Sequence, residues 1–330
     1  MAHLSLKENY FRMLNREIPE YVPTVNFGMP IGLPELAPVF GGFEGEKKDI
    51  FGVTYVTEAT INYGALPKPG DFILKDITKW RDVIKRPEFL DTIDWELCAS
   101  RDLANLNPEQ IHTTWVSVGN GFFQLLMSFM GFDEGLCACV EEPEEVKDLL
   151  NFLLELNLEV GKKYIHYYKP DVFMGADDIA HERAPFVSEA VFMDLFEPCW
   201  RKQVELFLDA GIFTEHHNCG MFGPFVPHLI DMGYHSWNPA EHMNDFPALK
   251  KLTVGKLAIC GGFDSKPIST PETTEEETRA HVKATLDLMA PGGSYAFMGF
   301  LGAQPGDEDP MMRSRWVNDE FEKLRYSYYN

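Results

Sequence analysis

The sequence predicts an α/β fold: a parallel sheet closed into a (β/α)8 TIM barrel, with an N-terminal elaboration. Three observations predict it. Short runs rich in β-branched and aromatic residues, each closed by Gly, Asp or Asn, recur along the chain. Longer amphipathic runs lie between them. The 330 residues contain no low-complexity linker, so one large barrel accommodates the whole chain. The chain therefore reads as a single domain over residues 1–330, in which residues 1–100 include an N-terminal extension packed on the barrel.

The elements follow in order. Residues 21–28 (YVPTVNFG) read as a strand running into a loop, and the Pro/Gly-rich stretch at 28–70 as the elaboration. Residues 111–119 (IHTTWVSVG) and 171–178 (DVFMGADD) are the next strands. Residues 143–168 open on Pro-Glu-Glu, suited to a helix N-terminus, and then carry a leucine stripe through 149, 150, 153 and 154. Residues 189–209 and 273–288 show similar helical patterns, the latter with a capped start expected at Thr270-Pro271-Glu272-Thr273. Residues 212–214, 234–238, 257–264 and 294–299 supply further strands.

Composition limits the partners. Apolar residues make up 45% of the chain and aromatics 13%, as in a well-packed globular protein. The formal charge is −22, which repels nucleic-acid phosphates and anionic lipid head groups, so neither nucleic acid nor a membrane is expected as a partner. The longest apolar run, near Phe122 to Phe132, is too short to span a bilayer. The N-terminus lacks a charged-then-apolar signal pattern, and six dispersed cysteines read as reduced thiols, so a cytoplasmic location is expected. Cys137 and Cys139 form a close pair with no matching second pair and read as structural.

The chemistry concentrates at strand ends, where barrel active sites lie. Glu215-His216-His217-Asn218-Cys219-Gly220 is the most informative stretch. Residues i and i+2 of an extended strand face the same way, so His217 and Cys219 point to one side and His216 to the other. An imidazole nitrogen and a thiolate together suit zinc. The plain alternative is a buried small cysteine beside hydrogen-bonded histidines. Asp177, Asp178 and Cys260 also close strands, and Glu182 follows one of them. Phe27, Tyr55 and Trp237 are candidates for an apolar wall near the barrel mouth, with Asn238 and Glu241 as weaker pocket residues.

The order of motifs resembles the uroporphyrinogen decarboxylase superfamily. It runs Met174-Gly-Ala-Asp-Asp-Ile-Ala, Pro185-Phe-Val-Ser, Glu197-Pro, His217-Asn-Cys-Gly, Ile259-Cys-Gly-Gly-Phe-Asp and Ala290-Pro-Gly-Gly-Ser-Tyr. The resemblance implies a TIM barrel and one of two chemistries: decarboxylation of a tetrapyrrole, or zinc-dependent methyl transfer to or from a corrinoid carried by a partner protein. The H-x-C element implies the second. Residues 17–40 contain no Arg or Lys to clamp the substrate carboxylates of the decarboxylase. Asp49-Ile-Phe-Gly-Val, Pro67-Lys-Pro-Gly-Asp, Asp76-Ile-Thr-Lys-Trp and Ile93-Asp-Trp-Glu resemble the first methyltransferase of corrinoid O-demethylase systems. The resemblance thus implies a small methylated substrate, a methyl ether first among the candidates, and a corrinoid protein as partner. A homodimer is compatible with it. It also implies zinc ligands at His217 and Cys219, with Glu182 or Cys260 as the third, since no cysteine follows Ala290-Pro291-Gly292. Asp177, Asp178 and Glu182 are the catalytic candidates. The alternatives are a tetrapyrrole decarboxylase and a non-catalytic corrinoid- or tetrapyrrole-binding relative.

Overall fold

The computed structural model of the chain describes residues 3–25, 28–39, 41–58, 64–114, 118, 120–270, 272–299, 301, 309 and 311–329. Asn26, Phe27, residues 115–117, Gly119 and Pro271 lie outside the described residues, and with them parts of the first two expected strands.

Ten strands are seen among the described residues: β1 (Met29–Pro30), β2 (Glu46–Lys48), β3 (Thr54–Glu58), β4 (Gly64–Pro67), β5 (His112–Thr114), β6 (Val172–Ala176), β7 (Phe213–His217), β8 (Ser236–Ala240), β9 (Ala258–Gly261) and β10 (Tyr295–Phe297). Seven form one sheet in the order β1-β5-β6-β7-β8-β9-β10. The pairs β1–β5, β5–β6, β7–β8, β8–β9 and β9–β10 are parallel. Strand order follows chain order, so each connection advances one position, as helical crossovers between parallel neighbours require. The fold is therefore α/β with a seven-stranded parallel sheet. The Pro/Gly-rich elaboration folds as a separate antiparallel sheet, β2-β3-β4.

Two compact units divide the chain. The first comprises residues 28–179 and 186–214. Its strand β6 is apolar along its length and largely buried, the pattern of a strand covered on both faces. Phe173 of β6 stacks on Phe207, with ring centroids 4.1 Å apart. Phe207 belongs to the helix Glu197–Asp209. A long helix, Pro143–Lys163, buries Leu149, Leu150, Leu153 and Leu154, each worth roughly 1.5–3 kcal/mol of apolar burial. It continues as a π-turn, Tyr164–Tyr168, and ends at left-handed Lys169. Gly32, at φ 129°, lies where a Cβ would meet the Tyr164 ring at 2.7 Å, which lets the Tyr164 hydroxyl accept from Leu33 N at 2.9 Å. The expected helix over 189–209 is present but carries a π-segment at Phe192–Phe196. Pro198 follows at once, and a proline removes one N–H and crowds the carbonyl four residues back.

The second unit comprises residues 1–27, 180–185 and 215–330. β8, β9 and β10 pair within it, and Thr24 bridges in parallel to Phe297 on the far side of β10. The helix Glu275–Met289 starts later than the sequence reading placed it. Its cap is Thr274, whose hydroxyl accepts from Glu277 N while the Glu277 carboxylate accepts from Thr274 N. This reciprocal T-x-x-E box satisfies two otherwise unpaired donors and outweighs the Thr270-Pro271 start. No single helix among the described residues is long and apolar enough to cross a membrane.

Candidate metal centre

β7 is a β-prone run, Phe-Thr-Glu-His-His, that ends in a polar turn. The alternation expected from its sequence holds. His216 turns to one side and is 1% exposed, packed against Phe222 and Tyr234 at ring-centroid distances of 5.4 and 5.2 Å. Burial holds its imidazole well below the ordinary histidine range, so it is neutral.

His217 and Cys219 lie together, with Nε2 3.8 Å from Sγ. Both are half-buried. His217 Nδ1 is 2.9 Å from Asn238 Oδ1 on β8. An amide oxygen only accepts, so Nδ1 carries the proton and the Nε2 lone pair faces the sulfur. The turn after Cys219 requires glycine. Gly220 has φ 81°, and a Cβ there would meet Ala180 O and His181 O at 2.8 and 2.7 Å.

Asp178, just past β6, accepts from Gln124 Nε2 at 3.4 Å. The neighbouring Asp177 does different work. It is 2% exposed and accepts from Phe123 N, Gln124 N and Trp200 Nε1 at 3.0, 3.0 and 2.9 Å. It thereby caps the helix Phe122–Met130. Burial raises its pKa to about 7.

The two third ligands expected from the sequence differ in their surroundings. Glu182 is an exposed side chain, 3.7 Å from the Arg183 guanidinium. Cys260 is fully buried on β9, 3.9 Å from the Tyr10 hydroxyl, and burial pushes its thiol well above the ordinary range. Tyr10 also donates to Glu215 at 2.8 Å. Glu215 is 1% exposed, and burial raises its pKa to about 7. This Tyr10–Glu215–Cys260 cluster escaped the sequence reading, although Glu215 sits two residues before His217 on the same strand face.

Of the three residues expected to form an aromatic wall, Phe27 lies outside the described residues and the other two are buried. Trp237 is fully buried and donates to Asn218 O at 3.0 Å. Tyr55 is 3% exposed and donates to Ser128 at 3.1 Å. A pocket of about 330 Å³ instead opens past the ends of β8 and β9, where Phe263 and Met298 supply apolar surface and Glu241, His242 and Lys266 polar groups.

The sequence profile of uroporphyrinogen decarboxylase (URO-D) matches residues 109–302, more than half of the chain. The chain belongs to the uroporphyrinogen decarboxylase family. No curated protein sequence matches it. Twelve chains of solved structures do. One is a methyltransferase from Methanosarcina mazei, similar with a TM-score of 0.61 and 13% identity over 98% of this chain and 99% of that one. At that identity the likeness is one of fold.

Proposed function

We propose that this member of the family is a zinc-dependent methyltransferase that moves a methyl group from a small methyl ether to a corrinoid protein. The observation that carries the reading is the placing of His217 Nε2 3.8 Å from Cys219 Sγ, with the other ring nitrogen 2.9 Å from Asn238 Oδ1. One imidazole nitrogen and one thiolate sulfur suit a catalytic zinc, which keeps a position open for substrate. The fold likeness to a protein named a methyltransferase supports the same direction. We infer further that the parallel sheet is the barrel of this family.

Zinc, when bound, supplies Lewis acidity toward the ether oxygen, and the partner's corrinoid supplies the methyl acceptor. The chain does the rest. Asn238 holds the His217 proton on Nδ1 and so directs Nε2 toward the ligand group. Gln124 steadies Asp178, while Asp177, fully engaged beside it, fixes the backbone from which Asp178 projects. Phe263 and Met298 offer apolar contact for the donor's body, and Glu241 and His242 line the same pocket. Positioning of this kind is the largest contribution a protein makes when the nucleophile arrives on a cofactor.

Elemental analysis of purified protein tests the metal. Close to one zinc per chain is expected, lost in His217→Ala and Cys219→Ala. Protein that holds no metal and takes none up sinks the zinc reading. Visible spectra of a reduced corrinoid protein mixed with the enzyme and a methyl ether test the transfer. Absence of cobalt methylation across a broad donor panel, with the matching partner present, ends the methyltransferase reading. The absence of Arg and Lys from residues 17–40 argues against tetrapyrrole decarboxylation. Incubation with uroporphyrinogen is expected to give no coproporphyrinogen, and its appearance would reverse the ranking.

A further inference from the structure

The turn that carries the ligand pair is gripped by one neighbouring segment at a constant offset. His217 pairs with Asn238, Gly220 with Glu241 and Gly223 with Asn244, each pair 21 residues apart in the chain. The contacts are specific. His217 Nδ1 donates to Asn238 Oδ1 at 2.9 Å, and Asn218 N donates to Asn238 O at 2.8 Å. Gly220 N donates to the Glu241 carboxylate. Asn244 closes the far end from both sides: its Oδ1 accepts from Gly223 N at 2.7 Å and its Nδ2 donates to Gly220 O at 2.9 Å. The same Nδ2 lies 2.9 Å from Glu241 O, which ties the segment to itself.

Burial gives these bonds weight. Asn244 is 7% exposed and Asn238 fully buried. Buried hydrogen bonds are not readily replaced by water, so losing one leaves an unpaired donor or acceptor behind. The glycines are what allow the approach. A Cβ on Gly223 would lie 2.9 Å from Asn244 Oδ1, and Gly220 is confined by the Ala180 and His181 carbonyls. The turn that bears Cys219 is therefore held at its start, middle and end.

We propose that Glu241 and Asn244 are positioning residues that, with Asn238, clasp the 217–223 turn and hold His217 and Cys219 at ligand spacing before metal arrives. The inference rests on the zinc reading above and deepens it: the site is pre-organised by side chains of residues 238–244 that are not themselves ligands. A pre-organised pair loses little conformational freedom on binding, whereas a loose turn must be ordered at the expense of affinity.

Two measurements test it on the full-length chain. The first is zinc affinity by competition with a chromophoric chelator. Asn244→Ala and Glu241→Ala are each expected to weaken zinc binding about tenfold, the scale of lost outer partners at metal sites. Glu241→Gln keeps an acceptor oxygen and is expected to stay within about threefold of the parent. The second is amide hydrogen exchange of the metal-free chain over residues 218–223. Asn244→Ala is expected to speed exchange there by about tenfold or more, with the helix Glu275–Met289 unchanged as an internal reference for folding. Equal zinc affinity in the alanine variants overturns the clasp, and so does unchanged exchange. If the parent chain takes no zinc, the metal reading falls and hydrogen exchange alone decides the clasp.

Discussion

Cys219 and Cys260 stand on the same unit, one just past β7 and one within β9, and the sequence offers both as ligands. Cys219 is half-buried, with Sγ 3.8 Å from His217 Nε2, and His217 Nδ1 lies 2.9 Å from Asn238 Oδ1. Cys260 is sealed beneath Tyr10 and Glu215, with its thiol held well above the ordinary range by burial. The thiolate is what binds a metal. Burial disfavours that thiolate at Cys260, whose sulfur packs against the Tyr10 hydroxyl. The carboxylates divide in the same way. Glu215 is locked to Tyr10 in the core, whereas Asp178 is half-buried. Two strand positions thus separate a closed polar floor from an open ligand group. Access to solvent is the property that differs.

The comparison is most exposed to failure at the ligands. His217→Ala or Cys219→Ala is expected to lower methyl transfer by more than about a hundredfold and to remove the zinc, while Cys260→Ala keeps it. Loss of zinc from Cys260→Ala would erase the distinction. Asp177 and Asp178 form the next contrast. Asp177→Ala removes the acceptor for two helix amides and the Trp200 indole and is expected to cost about 3 kcal/mol in urea unfolding. Asp178→Asn is expected to lower methyl transfer with little change in that stability. The reverse pattern would exchange their roles. On the closed floor, Tyr10→Phe deprives buried Glu215 of its donor and is expected to cost about 2 kcal/mol, with zinc content unchanged.

The smallest effect tests sealing far from the ligands. Lys250 is buried, donates to Gly293 O at 2.9 Å, and has its pKa lowered to about 8 by desolvation. Its folded value lies below its unfolded value of about 10.4, so between those two pH values the unfolded chain binds the extra proton. Stability from this group is present at high pH and is lost as pH falls through about 8. The slope is at most about 1.4 kcal/mol per pH unit. Lys250→Met is expected to flatten the unfolding free energy over that window. An unchanged slope would show that Lys250 is solvated in the native chain.

Much of the fold was legible because it is written in local patterns. The strand before the H-x-C element, the leucine-striped helix from Pro143 and the alternation that sends His216 and His217 to opposite sides all depend on residues close in sequence. The start of the helix at Glu275 is written locally as well, in the T-x-x-E box at Thr274 and Glu277, which competes with the nearby Thr270-Pro271 signal. The candidate site was only half legible. Spacing pairs His217 with Cys219, but no spacing tells that Asp177 is taken up by helix amides, that Glu182 is exposed or that Cys260 is enclosed.

The sequence by itself determined the α/β class, the positions of the parallel strands, and the shared face of His217 and Cys219, because hydrophobic periodicity and strand alternation act over a few residues. Tertiary structure decided which remote side chains matter. It spent Asp177 on a helix cap, left Glu182 in solvent and enclosed Cys260. The physical reason is that ligand competence depends on solvent access and on which hydrogen bonds are already taken, and both are set by packing among segments far apart in the chain.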